Sequence, residues 1–183
     1  MIHPPAVLVH GRAHAAAAVG AAAGSPGAPL QGAPVRDGGR PVTLLSAPGA
    51  ALYAGPGWWR ALVVAARAGR DPALVADILD CADDPAQAFA ALRLGQAWLV
   101  LAPHAPGFAA AAAVAAARGG GVLAAAPPAL DLAQPGAARD LAAWLAGAGT
   151  LSPAGGGGDG AAKHHPVTLS VAFPGGDFPS RLR

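Results

Sequence analysis

Short apolar runs recur along this chain, and each is followed by a stretch rich in alanine. A run without polar alternation is typical of a strand that is covered on both faces of a sheet. Strands that alternate with helices pair in parallel through right-handed crossovers. This repeat therefore constrains the chain to an α/β fold. The predicted strands span residues 6–9, 42–45, 73–79, 97–101 and 122–126.

Alanine-rich helices are predicted between these strands, over residues 11–23, 58–69, 108–118 and 139–146. A further helix begins after Asp83 or Asp84, with Pro85 in its first turn, and ends at Gly95. We expect about five mostly parallel strands in a flavodoxin-like or Rossmann-like three-layer sandwich. A partial barrel is the alternative, because a complete eight-stranded barrel takes about 250 residues and this chain has 183.

One stretch resembles a known unit. The sequence AALRLGQAWLVLAP, residues 90–103, joins a helix, a glycine, a strand and a proline. It is similar to units of barrel aldolases and related enzymes. The similarity covers this stretch alone and implies a βα repeat, so no site residue of those enzymes is carried over.

The chain is predicted to form one folded domain with a tail. Residues 1–151 suit a single α/β domain, in which the Gly/Pro-rich segment 25–41 is a flexible insertion. The composition changes after Gly147, and residues 152–183 are predicted to be a disordered tail. An edge strand over residues 167–173, VTLSVAF, is the alternative within that tail.

The charge content argues against nucleic acid as a partner. Charged residues make up only 12% of the chain, and the net charge is +2. The arginines are scattered, with no basic run and no aromatic platform among them. So few charges leave alanine-rich helical surface facing water or a second subunit, which makes a homo-oligomer one predicted state.

No membrane partner is expected. The uncharged stretch 94–117 is divided by two prolines and a glycine between residues 103 and 107. Neither half is long enough to cross a bilayer. The N-terminal region lacks the pattern of a signal peptide, and a lone cysteine permits no internal disulfide. These features predict a cytoplasmic location.

Reactive side chains fall directly after the predicted strands. They are His10, Ser46, Asp80, Cys81 and His104. The carboxyl ends of parallel strands form the edge at which open α/β sheets and barrels bind their ligands. We therefore expect a catalytic set at this edge, with Asp80 as general base or hydroxyl-binding group. His10 or His104 would be its proton-transfer partner.

Cys81 leaves two interpretations open. Paired with His104, its thiol could attack as a nucleophile, helped by the dipole of the next helix and opposed by the neighbouring aspartates. Alternatively, Cys81 is a small buried apolar residue, and Asp83 or Asp84 is only a helix cap. The second interpretation is favoured.

The Gly/Pro-rich loop 46–57 is the predicted ligand-binding segment, because it follows a strand and leads into a helix. Backbone N–H groups in such a loop can bind a phosphate or carboxylate, although neither a P-loop nor GxGxxG is present. Ser46 lies outside a GxSxG elbow and is not expected to be a nucleophile. The structural alternative is a connection anchored by a core tryptophan, Trp58 or Trp59. The candidate ligand-binding residues are Ser46, Gly49, Gly55, Gly57 and Asp83.

A metal site is considered and not assigned. His10, Asp80, Asp83 and His104 could converge as nitrogen and oxygen ligands. No HxH, HExxH or CxxC spacing supports this. Cofactors stay unknown, and the pair His164–His165 in the predicted tail is interpreted as incidental.

Two functional hypotheses follow. The first is a small-molecule enzyme, or a degenerate enzyme, that binds an anionic or phosphorylated metabolite at the carboxyl edge of the sheet. The alternative is a non-catalytic ligand-sensing or protein-interaction module that self-associates through its alanine-rich helices. The sequence leaves open whether the protein is an enzyme. An enzyme of the first kind should hold Asp80 within hydrogen-bond reach of a histidine.

Overall fold

Strands and helices alternate along this computed structural model, which describes residues 5–24 and 39–147. The strands are β1 (Ala6–Val9), β2 (Val42–Ser46), β3 (Val75–Asp80), β4 (Trp98–Val100), β5 (Gly121–Leu123) and β6 (Ala129–Asp131). The helices are α1 (Arg12–Gly24), α2 (Ala50–Tyr53), α3 (Gly55–Arg67), α4 (Pro85–Arg93), α5 (Phe108–Ala116) and α6 (Ala137–Leu145). A short 3₁₀ helix, Pro72–Leu74, precedes β3.

Some sequence predictions fall outside the described residues. Most of the insertion 25–41 does so, as does the whole tail 152–183 with its histidine pair and its alternative edge strand. The described residues all belong to the unit Met1–Ser152, which is distinct from Pro153–Arg183. The predictions for these segments, and the domain boundary itself, stay predictions.

All described strands pair in parallel, in the order β5-β4-β3-β2-β1-β6. This confirms the predicted α/β class with helices alternating along a parallel sheet. The expected count was about five, and β6 is the additional strand. Its residues follow Pro127–Pro128, and a prolyl pair is a signal that a strand has ended. The three residues of β6 are also too few to show a hydrophobic period.

The link between β5 and β6 requires the sheet to curl. From Leu123 to Ala129 there are six Cα–Cα steps, which span at most about 22 Å. In a flat sheet five strand spacings, about 24 Å in all, would separate β5 from β6. The link must also return from the carboxyl end of one parallel strand to the amino end of the other. The two outer strands are therefore brought towards each other, as in an opened barrel.

The two faces of this curled sheet carry different cores. On one face, Leu45, Ile78 and Val100 are buried against one another and against side chains from the remaining strands, namely Leu8, Trp98, Leu123 and Ala129. The alternate strand residues, such as Leu44, Leu79 and Leu99, belong to the larger core with the helices. We infer that the first face is the concave one. There, inward side chains from all described strands meet, as they do in a barrel.

The described helices form a single layer on the other face. Neighbouring helices touch in the order α6, α1, α3, α4, α5, which follows the order of the strands that precede them. A three-layer sandwich needs helices on both faces, so the described helices match the partial-barrel alternative. The longest of them, α1 and α3, have 13 residues each, and no described helix is long and apolar enough to cross a membrane.

Alanine sets the distance between the helices and the sheet. The buried positions of α1, α4 and α5 are almost all alanine, with side chains at most a few per cent exposed. Small side chains at a contact allow closer packing of the two elements. One large residue completes this core, because Trp59 is fully buried whereas Trp58 is partly exposed. The predicted core tryptophan is therefore Trp59.

Asp77 is a charged residue of β3, at a position where the strand would otherwise be apolar, and its side chain is only 14% exposed. Its carboxylate accepts hydrogen bonds from the Arg67 Nη2 (2.6 Å), the Trp59 Nε1 (3.0 Å) and the Gln96 Nε2 (2.8 Å). Arg67 also donates to the Val75 carbonyl. This network ties α3 to the amino-terminal half of β3. A buried carboxylate is tolerated there because its lone pairs are satisfied.

We expect Asp77→Ala to destabilise the fold by about 2 kcal/mol, because the Trp59 indole N–H loses its acceptor and the Arg67 guanidinium and Gln96 amide each lose one of theirs. Urea unfolding followed by tryptophan fluorescence would measure the change. Asp140→Ala, on an exposed position of α6, is the control and should stay within about 0.5 kcal/mol of the parent. Equal unfolding free energies for the two variants would contradict the role given to Asp77.

Candidate functional site

Asp80 ends β3 and is held in a fixed orientation at the carboxyl edge of the sheet. Its side chain is buried, and its Oδ1 accepts hydrogen bonds from the Gly49 N–H (3.0 Å) and the Ala82 N–H (2.8 Å). The Asp80 N–H donates to the Ser46 Oγ (2.8 Å), and the Ser46 hydroxyl donates to the Ala47 carbonyl (3.2 Å). The fully buried Ser46 is thus engaged with the backbone, and it braces the end of β3 against β2.

The turn after Asp80 is strained. Ala82 has a φ of +49°, the left-handed region, and is the non-glycine residue with a positive φ among those described. That conformation costs roughly 1–2 kcal/mol for a residue with a Cβ. The same residue donates its backbone N–H to the Asp80 carboxylate. Backbone strain of this kind concentrates at functional sites, which adds weight to this edge as the site.

An open depression of about 350 Å³ lies beside Asp80. Both Asp83 and His104, predicted from the sequence, are on its wall, and both are exposed. The structure therefore brings three of the predicted residues to one cavity. The cap of α4 is Asp84, whose carboxylate accepts from the Ala86 and Gln87 N–H groups. The complete lining is Asp80, Ala82, Asp83, Val100, Ala102, His104 and Ala124.

The loop 46–57 uses several of its N–H groups internally. The Gly49 N–H donates to Asp80, and the Ala50, Leu52 and Ala54 N–H groups donate to carbonyls of the same loop. These bonds build α2, a short helix that the sequence pattern did not predict. Gly55 and Gly57 lie in the first turn of α3. Anion binding by this loop stays a prediction, and its Gly49 N–H is already paired with a resident carboxylate.

An acid–histidine pair lies at the carboxyl ends of β1 and β6. The His10 Nε2 is 2.7 Å from the Asp131 Oδ1. Asp131 also accepts from the Ala133 N–H (2.9 Å) and the Gln134 Nε2 (3.2 Å). The His14 Nδ1 accepts from the His10 N–H at 3.4 Å, and the two imidazole rings meet edge to face. His10 is therefore positioned from two sides, and its side chain is 38% exposed.

Sequence reasoning selected His10 but missed Asp131. The missed signal was ALDL after the prolyl pair, since an aspartate that follows a short apolar segment marks the end of a strand. The expected hydrogen bond between Asp80 and a histidine does not occur among residues 5–24 and 39–147, so that expectation for an enzyme is not met. The histidine that pairs with a carboxylate is His10, and the carboxylate is Asp131.

The pKa of Asp131 lies below its ordinary value. Partial burial acts to raise this pKa. The hydrogen bonds from the Ala133 N–H, His10 and Gln134, together with the charge of His10, outweigh burial and lower it. Asp131 is therefore a carboxylate at neutral pH, able to orient His10 through their hydrogen bond.

The strand register relates His10 to Asp80. Leu8 is aligned with Leu45, and Leu45 with Ile78. The paired positions end at Val9–Ser46 and at Leu45–Ile78, so His10 and Ala47 lie just beyond the ladder. A row continued by two residues would bring His10, Ala47 and Asp80 into line. With neighbouring strands about 4.8 Å apart, the His10 and Asp80 Cα atoms would then be separated by roughly 10 Å, a gap that a small molecule could span.

Cys81 is a core residue. Its side chain is fully buried, and burial raises the pKa of its thiol to about 12, with the charges of Asp80 and Asp84 adding to the effect. The thiol therefore stays protonated at physiological pH and is not activated as a nucleophile. Of the two interpretations of Cys81, the buried apolar residue is the one that the structure supports.

The described residues contain no group of three or more histidine, cysteine or acidic side chains that could hold a metal ion. His10 and His104 follow different strands, β1 and β4, and His10 is engaged with Asp131. The histidine and aspartate residues considered as ligands are therefore not drawn into one coordination sphere in this part of the chain.

We expect Cys81 to resist a disulfide reagent at pH 8 in the native protein, because only on the order of one thiol in ten thousand is ionised at a pKa near 12. Absorbance at 412 nm after addition of Ellman's reagent would follow the reaction. In urea the same thiol should react completely within minutes. Rapid stoichiometric labelling under native conditions would contradict the burial of Cys81.

We expect Asp131→Asn to be less stable than the parent at pH 7 and to approach it as the pH falls below about 4. The folded state lowers the pKa of Asp131, so its stabilisation is fully present above the unfolded pKa. That stabilisation is lost as the pH falls through the folded value. Thermal unfolding between pH 2.5 and 7 would measure this difference, with Asp140→Asn as the exposed control. A constant difference across this range would argue against the Asp131 interactions.

Comparison with protein-family models, with curated proteins and with solved structures finds no match for this chain. The chain itself is an α/β protein with a parallel sheet and a single described layer of helices.

Proposed function

We propose that this protein binds a small hydroxylated or amine-bearing metabolite at the carboxyl edge of its sheet and acts on it as an enzyme. The observation that carries the proposal is the arrangement of Asp80. One carboxylate oxygen is fixed by two backbone N–H groups, and the residue lines an open depression. The second oxygen has no partner among the described residues and can accept a hydrogen bond from a ligand.

The charge of this depression favours a hydrogen-bond donor over an anion. Asp80 and Asp83 both line it, and Asp84 follows directly. No described arginine or lysine contributes to this lining. An anion placed there would meet like charges, whereas a hydroxyl group or a protonated amine would be attracted. The anionic or phosphorylated metabolite predicted from the loop glycines would have to place its anionic group elsewhere on the edge.

The His10–Asp131 pair supplies proton transfer in this proposal. The Asp131 carboxylate is itself held by backbone and side-chain donors, and it orients the His10 imidazole. A carboxylate orients the catalytic histidine of a triad in the same way. The Nδ1 of His10 has no partner among the described residues. It can therefore take a proton from a ligand hydroxyl that Asp80 holds two strands away. His104, which also lines the depression, is the alternative donor or acceptor.

Asp80→Asn is the sharpest test, because the amide oxygen can still accept from Gly49 and Ala82 while the amide NH₂ replaces the free acceptor. A thermal-shift screen of polyols, amino sugars, polyamines and their phosphate esters would first identify a ligand. A ligand at 100 times its Kd should stabilise the parent by about 2.7 kcal/mol. We expect Asp80→Asn to retain the fold and to lose at least about tenfold in affinity, close to 1.4 kcal/mol.

Asp140→Asn, on the exposed surface of α6, is the matched control and should bind as the parent does. A ligand that binds Asp80→Asn as tightly as the parent would overturn the assignment of Asp80. A different outcome is a ligand that requires Asp80 for binding, is recovered chemically unchanged after incubation, and shows no dependence on His10. The protein would then bind this ligand without catalysing a reaction. That result would favour the ligand-sensing alternative.

A second candidate function is supported by exposed apolar side chains. Leu52, Tyr53 and Trp58 are between 39% and 69% exposed, and all three lie in α2 and the first turn of α3. Clustered apolar exposure is typical of an interaction surface. A protein-interaction module would use this surface for self-association. Light scattering after size-exclusion chromatography would detect a dimer, and the triple substitution of these residues by serine should then give a monomer.

A further inference from the structure

The depression beside Asp80 has apolar walls around its acidic residues. Four of its seven lining residues carry only hydrocarbon side chains, namely Ala82, Val100, Ala102 and Ala124. They lie at or just after the carboxyl ends of β3, β4 and β5. Every lining residue is between positions 80 and 124, inside the continuous described range 39–147. A hydrocarbon group would bury apolar area against these side chains, whereas the hydroxyl groups of a polyol would lie against them without partners.

One oxygen of Asp80 is open to a ligand in this depression. Asp80 is 7% exposed, and the Gly49 and Ala82 N–H groups both donate to its Oδ1. Its Oδ2 receives no hydrogen bond among the described residues. This atom is not sealed from solvent either, since the sealed side-chain atom without a partner in this part of the chain is the Nε of Arg40. A residue more than nine-tenths buried thus presents a free acceptor to the cavity that it lines, and a donor on a ligand would satisfy it.

Backbone donors in the same walls are already used. The Ala82 N–H donates to Asp80, and the Ala102 N–H donates to the Ala82 carbonyl at 2.7 Å. The Asp80 N–H donates to the Ser46 Oγ. Anions bind where several such N–H groups are free. These walls therefore favour a ligand that donates hydrogen bonds over a ligand that accepts them.

The carboxylates favour a charged donor over a neutral one. Asp83 belongs to the same lining and is exposed, and Asp84 follows it in the chain. A hydroxyl group would gain one hydrogen bond to the Asp80 Oδ2. An ammonium group has three N–H donors, makes stronger charge-assisted hydrogen bonds, and is attracted by all the neighbouring carboxylates. The charge distribution therefore selects a protonated amine.

We propose that the depression binds a primary amine with a compact hydrocarbon body. The ammonium group donates to the Asp80 Oδ2 and is attracted by Asp83. The hydrocarbon part lies against Val100, Ala102 and Ala124. This proposal rests on the proposed function, because both place the ligand on Asp80. It narrows the hydroxylated or amine-bearing class of ligand to cationic amines and excludes polyols.

Benzylamine is the probe, because it joins a primary ammonium group to a compact hydrocarbon ring. Titration of the full-length protein, followed by heteronuclear NMR, should show saturable binding at millimolar concentration, with the largest amide shifts in residues 80–83, 100–104 and 122–125. Benzyl alcohol, which lacks the charge, and methylamine, which lacks the ring, should each bind at least about tenfold more weakly. Equal affinity for benzyl alcohol would overturn the amine part of the proposal. Equal affinity for methylamine would overturn the hydrocarbon part.

Two variants at exposed positions test the contribution of charge. Asp83→Asn removes one carboxylate and leaves the Asp84 cap of α4 in place. It should weaken benzylamine binding about threefold and leave the affinity for benzyl alcohol unchanged. Ala124→Lys places a cation in the depression and should abolish benzylamine binding while the circular dichroism spectrum is retained. Asp140→Asn, on the exposed surface of α6, is the matched control and should bind benzylamine as the parent does.

The outcomes separate this proposal from the proposed function. Absence of benzylamine binding to the parent at millimolar concentration would overturn the amine proposal, as would full affinity in Ala124→Lys. The proposed function would survive that result if benzyl alcohol or a polyol bound in a manner that Asp80→Asn abolished. It would fail as well if no ligand depended on Asp80. If Asp83→Asn fails to fold, Ala124→Lys and the benzyl alcohol comparison still decide the outcome.

Discussion

The chain passes from the end of β5 to the start of β6 with only residues 124–128 between them. These strands are the outermost members of the described sheet, so the link cannot reach unless the sheet bends. The rest of the architecture depends on this short connection between β5 and β6. Bending separates a concave face, where the described strands converge on Leu45 and Ile78, from a convex face that has room for the described helices.

The described helices form a single layer on the convex face of the curved sheet, and this arrangement limits the size of the side chains at the contact. Helices on the convex side must approach the strands closely, and alanine at the buried positions of α1, α4 and α5 allows this. Trp59 and Asp77 are the exceptions. The indole fills space between α3 and the sheet, and its N–H is one of the donors that make the buried carboxylate acceptable.

Much of the fold could be predicted because its signals are local. The strand starts, the caps and the glycine stops depend on neighbouring residues, and Asp84 and Gly95 act as the sequence indicates. The direction of curl depends on strand order, which is not a local property. β6 and its Asp131 were missed because the three strand residues follow a prolyl pair and are too few to show a hydrophobic period. The sequence placed Asp80 at the correct edge, but the choice of its neighbours required the register.

The hydrogen-bond partners of a polar residue in a strand were equally hard to predict from the residue type alone. Asp77 interrupts the apolar pattern of β3, and the three donors that its carboxylate accepts from lie in α3 and just before β4. Ser46 looked like a ligand contact, yet its hydroxyl joins two strands. In both cases the partners are distant in sequence, so no local pattern could identify them.

The polar residues of the carboxyl edge are carried by separate strand–helix units. His10 belongs to the first unit, Asp80 to the third, His104 to the fourth and Asp131 to the last. They are the last residues of strands or lie in the loops that follow, whereas the buried alanines and branched aliphatic residues hold the frame. Mutation can therefore alter one loop at a time while the packed frame stays intact. A chain of this kind can change its ligand during evolution without first having to change its fold.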